Sequence, residues 1–72
     1  MKKDESLVIK AELKITGANT HRVHNMLSLY DNAIKLCKVG GDLGKIYWKN
    51  VAEEWERKLR YFIQTGDAFW KG

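Results

Sequence analysis

At 72 residues, with a single cysteine and a net charge of +4, the chain has room for one small core and no internal disulfide framework. Its 13 basic and 9 acidic residues are interspersed rather than blocked, so composition alone gives no polyanion-binding tail. No apolar run is long enough to cross a bilayer, and Asp4 and Glu5 interrupt the basic start; the expectation is a cytoplasmic protein without a signal peptide, in a reducing compartment.

In chain order, Ser6 to Thr16 reads as a strand. Leu7, Ile9, Ala11, Leu13 and Ile15 alternate with Val8, Lys10, Glu12 and Lys14, the period of a half-buried sheet element. The turn formers Gly17 and Asn19 follow. A helix is then predicted over roughly 20–38, capped at Asn19 or Thr20. Val23, Met26, Leu27, Tyr30, Ala33, Ile34 and Cys37 form its apolar stripe, which Leu29 and Leu36 widen. Gly40 and Gly41 should end it with a left-handed cap. A second helix is predicted over roughly 43–64 with Asp42 as N-cap and Gly66 as stop.

On a helical wheel, Tyr47, Trp48, Val51, Ala52, Trp55, Leu59, Phe62 and Ile63 gather on one side of this second helix. Lys49, Asn50, Glu53, Glu56, Arg57 and Arg60 gather opposite, with acid-before-base pairs four residues apart that favour a helix. The segment from Lys45 to Asn50 also has an alternative reading as a strand, and Thr20 to His24 as the return arm of a hairpin. The tail over 65–72 carries Phe69 and Trp70, which should fold back or dock.

The predicted fold is therefore α+β and mostly helical: one domain over 1–72, a strand followed by two amphipathic helices. A lone strand leaves two unpaired edges. Pairing between two copies would satisfy them, so the expected state is a homodimer in which Leu29, Leu36, Trp48, Trp55 and Phe62 serve the core or the dimer interface. In element order this arrangement resembles the ribbon–helix–helix family of DNA-binding regulators. The resemblance implies that Lys10, Glu12 and Lys14 face the major groove and that the start of the second helix, at Lys45, grips phosphate. That family's first helix is usually shorter than the one predicted here.

Catalytic signatures are absent. Val39 to Lys45, VGGDLGK, has one residue too few between its glycines for a phosphate loop and lacks the following hydroxyl residue. His21 and His24 have no companion ligands at zinc-site spacing, and Cys37 lies within an apolar stripe with no activating base. The expectation is a non-enzymatic protein without cofactor, metal or small-molecule substrate, and without membrane attachment. Its function is read as regulation or inhibition by stoichiometric binding to another macromolecule, most readily a protein. Arg57, Arg60, Tyr61, Phe69 and Trp70 are the candidate partner contacts. The alternatives are a DNA-binding dimer and a small assembly subunit.

Overall fold

The computed structural model describes residues 2–68. Three helices follow one another: α1 (Glu5–Glu12), α2 (Thr20–Val39) and α3 (Asp42–Thr65). There is no strand among the described residues, so the fold is all-α and the expected α+β arrangement is wrong.

The error sits in α1. Asp4 has extended backbone angles and its carboxylate accepts the Leu7 amide at 3.1 Å, an N-cap, while Glu5 adds negative charge to the first turn. Leu7 and Ala11, one turn apart, are buried against the other helices, with Val8 and Ile15 half-buried beside them. Ile9 and Leu13, which the strand reading placed with Leu7, are 58% and 80% exposed. A strand here would have had no partner within the chain, whereas a capped helix satisfies its own backbone and buries Leu7. Tertiary packing overrode the β-branched alternation.

Between α1 and α2 the turn is stitched by Asn19, which is 8% exposed. Its Oδ1 accepts the Thr16 amide at 2.7 Å and its Nδ2 reaches the Lys14 carbonyl at 3.5 Å. Asn19 is the N-cap residue of α2, yet its side chain serves the preceding loop rather than the helix. The stripe of α2 is as expected: Val23, Met26, Tyr30, Ala33, Ile34 and Cys37 are buried, and Leu27 packs against them.

Only Gly40 and Gly41 join α2 to α3, so the two helices form a tight hairpin. Neither glycine is left-handed (φ −75° and −70°), contrary to expectation. What Gly40 supplies is space: a Cβ there would lie 3.1 Å from the Leu36 carbonyl oxygen and 3.2 Å from the Gly44 backbone. The left-handed cap falls instead at Gly66, φ 76°, where α3 ends.

Helix α3 runs through the 45–50 segment without interruption. Ala52, Leu59 and Phe62 are buried, and Trp48, Val51, Trp55 and Ile63 pack on the same cluster. Trp48 also meets the Tyr47 ring edge-on at 4.9 Å, and the Lys58 ammonium sits 4.7 Å from the Trp55 ring centre. Some placements from the wheel change. Glu53 is half-buried rather than fully outward. Tyr47 is 60% exposed rather than inward. Glu56 is half-buried rather than outward, because its carboxylate accepts the Tyr30 hydroxyl at 2.7 Å. The same hydroxyl accepts the Asp4 amide at 2.9 Å, so a single oxygen ties together the start of α1, the middle of α2 and the middle of α3. After Gly66 the chain turns back: Ala68 is buried, and its carbonyl accepts from Arg22 Nε at 2.7 Å. Phe69 and Trp70 lie outside the described residues.

Candidate binding surface

The core closes without a conspicuous set of apolar side chains. Val39 at the end of α2 and Leu43, Ile46 and Tyr47 in the first turns of α3 are 79%, 85%, 61% and 60% exposed. Leu43 stands three and four residues before Ile46 and Tyr47, so these three are helix-surface neighbours. With Val39 just across the two-glycine joint, they form an apolar cap on the hairpin end of the molecule. Leu29 and Leu36, expected in the core or a dimer interface, lie on the flank of α2 at 39% and 38% exposure.

Beside this cap is a hollow of about 410 Å³ lined by Cys37 and Lys38 from α2 and by Lys45, Ile46 and Lys49 from α3. The Cys37 thiol is buried at its floor and points to the Lys45 carbonyl at 3.6 Å. No ion pair engages Lys38, Lys45 or Lys49 among the described residues. Lys45 and Lys49 are four residues apart on one helix, a like-charge spacing that mildly opposes folding.

The hollow continues a seam already in use. Helix α1 meets α2 and α3 where Lys3 pairs with Asp31 at 3.1 Å and where Asp4, Tyr30 and Glu56 share their hydrogen bonds. Lys38 follows Asp31 by seven residues on α2, and Lys49 precedes Glu56 by seven on α3. Seven residues are two turns, about 10 Å along one helix face. Lys38 and Lys49 therefore extend the same edges of the hairpin beyond the start of α1, where the described chain leaves the seam open.

The other candidates sit elsewhere. Arg57, Arg60 and Tyr61 are exposed on the outer side of α3, Tyr61 at 45%. Arg60 also borders a second, smaller hollow of about 270 Å³ with Asp4, Ser6, Leu7, Lys10 and Ile63. Lys10, Glu12 and Lys14 are all exposed on or just after α1. Without a strand they form no ribbon, and helical spacing turns Glu12 well away from both lysines; the DNA-reading face implied by the ribbon–helix–helix resemblance does not exist. Lys45 lies in the opening turns of α3, within the lysine hollow. Trp48 and Trp55 are half-buried and Phe62 is fully buried, which places all three with the core.

His21 and His24 are exposed near the start of α2, and no group of three potential metal ligands occurs among the described residues. Two groups have perturbed acidity. Burial, with the Glu56 carboxylate beside it, pushes the Tyr30 hydroxyl up to about 12. Hydrogen bonds from Lys35 and then Lys3 hold the Asp31 carboxyl below its usual value. Both take part in the packing of the three helices. Among the described residues, no helix is long and apolar enough to cross a membrane.

Sequence reasoning missed Val39, Leu43 and Ile46 as surface residues. The pattern Leu43, Ile46, Tyr47 directly after a glycine pair was the available signal, since it puts apolar side chains off the Trp48–Trp55 face. No family model matches the chain, and no curated protein or solved structure matches it.

Proposed function

We propose that this is a non-enzymatic protein that acts by stoichiometric binding to another protein, as a regulator or inhibitor. The observation that carries the reading is the apolar cap of Val39, Leu43, Ile46 and Tyr47. Such a cluster is costly to leave in water, and three of its members sit on a helix that does not need them for its core. An apolar patch beside a charged recess is the anatomy of a protein-binding surface. The perturbed groups, Tyr30 and Asp31, are engaged in contacts between segments of the packed helices.

The test is a pull-down from the cells of origin, with and without nuclease, using the wild-type chain and the Leu43→Ser/Ile46→Ser variant. The expected result is one protein retained at fixed stoichiometry after nuclease treatment and lost with the variant. Capture that depends on intact nucleic acid, or that ignores the variant, overturns the reading. Light scattering on the same samples measures self-association, for which the described residues offer no strand to pair.

A further inference from the structure

We infer that the open end of the α2–α3 seam, lined by Lys38, Lys45, Ile46 and Lys49, is a docking groove for an acidic amphipathic helix of the partner protein. This deepens the binding-protein reading above and rests on it.

The kind of occupant is argued from what fills the adjoining part of the seam. There, α1 lays Leu7 and Ala11, one turn apart, against the α2–α3 pair, and an acidic residue, Asp4, opens the helix. Two turns further along, the same pair of helices presents an open hollow of about 410 Å³. Its apolar lining is the buried Cys37 and the exposed Ile46, suited to an apolar anchor. The rest of its lining is three lysines with no ion-pair partner among the described residues. A helix that places apolar residues at i and i+4 into the recess and carboxylates along its flanks supplies what both features lack. The exposed cap then flanks the groove and extends the apolar contact.

Charge and shape separate this occupant from others. A second copy bound through the same patch about a two-fold axis would bring six lysines together. A bilayer surface would pair headgroups with the lysines but leave a concave recess unfilled. A nucleic acid would satisfy the charge and gain nothing from Ile46.

The test is selection from a displayed library of random 16-residue peptides on the immobilised full chain at near-physiological salt. Selected peptides should carry apolar residues three or four apart flanked by at least two acids. In synthetic form they should perturb backbone amide resonances of Lys38, Lys45, Ile46 and Lys49. Lys45→Glu/Lys49→Glu should weaken binding at least tenfold while preserving the helical spectrum; Ile46→Asp should do the same independently, and Lys10→Glu should leave it within twofold. Selected peptides without acids, resonance shifts confined to Arg57 and Tyr61, or a charge-reversed variant that binds normally each overturn the acidic-helix inference while leaving the binding-protein reading standing. Failure to enrich any peptide also counts against the groove. Stronger capture of vesicles containing one-fifth phosphatidylserine, or of a 20-base-pair DNA duplex, through the same lysines assigns the recess to another class of partner. Failure of the binding-protein reading itself shows separately, in the nuclease and cap-variant arms of the pull-down.

Discussion

Removing one oxygen should expose how much the three helices depend on a shared node. Tyr30 is fully buried; its hydroxyl donates to Glu56 at 2.7 Å and accepts from the Asp4 amide at 2.9 Å. Tyr30→Phe keeps the ring and its packing but strands both partners. A hydrogen bond to a charged group contributes about 1.5–3 kcal/mol and a neutral one about 0.5–1.5 kcal/mol. Both partners are only partly buried, so water recovers some of this, and the expected loss is about 2–3 kcal/mol. A domain of this size has a total stability of roughly 4–10 kcal/mol, and each kcal/mol moves its midpoint by about 4–8 °C. A fall of about 10–20 °C in thermal midpoint follows, measurable by circular dichroism. The same hydroxyl gives an independent check at high pH. Its folded-state value of about 12 lies above the ordinary value of 10.0, so its contribution is complete below pH 10 and is lost as pH rises from 10 through 12. That loss is about 3 kcal/mol, and the difference in unfolding free energy between wild type and Tyr30→Phe should shrink across that window. A variant within about 0.5 kcal/mol of wild type at pH 7, or a difference that stays constant to pH 12, would refute the reasoning.

Other substitutions read the remaining contacts. Leu59→Ala, at a fully buried position, should cost about 2–5 kcal/mol and leave the chain at or near its unfolding threshold in chemical denaturation. Gly40→Ala should lower the thermal midpoint, since the new methyl meets the backbone of Leu36 and Gly44. Gly17→Ala, which meets nothing within 4 Å, should be neutral or stabilising by up to about 1 kcal/mol; equal effects at the two sites would contradict the close approach. Asp31→Asn should cost only a few tenths of a kcal/mol at pH 7, because its pairs with Lys3 and Lys35 are partly exposed. Since the folded-state carboxyl value is depressed, that cost is present above the ordinary carboxylate range and disappears as pH falls through the folded-state value, which acid titration of wild type and variant compares directly.

The two long helices were legible because each carries an uninterrupted apolar stripe bounded by glycine. Val23 through Cys37 and Ala52 through Phe62 fall where the period puts them. Helix α1 was not legible in the same way, because five alternating apolar residues fit a strand better than a helix that must leave Ile9 and Leu13 outside. The Asp4 cap was the contrary signal, and only the presence of two helices able to receive Leu7 and Ala11 gives it weight. The Tyr30–Glu56 contact lay beyond the sequence for a related reason: a wheel knows one helix at a time, and Glu56 turns inward only because Tyr30 arrives from α2. For the surface, Arg57 and Tyr61 are outward as expected, but the recess is made by pairing Lys38 with Lys45 and Lys49 across the hairpin. Its existence depends on the register that the Gly40–Gly41 joint imposes.

That joint also bears on how quickly the structure can assemble. With two residues between α2 and α3, the ends of the hairpin start close together, and closing it costs little chain entropy. Most of the core can therefore form from neighbouring sequence, the regime of fast-folding helical proteins. Helix α1 reaches the pair across a longer connection and is held there by the Tyr30 hydroxyl, which also bonds Glu56 of α3. In kinetic terms Tyr30→Phe should chiefly accelerate unfolding, while Gly40→Ala should chiefly slow folding.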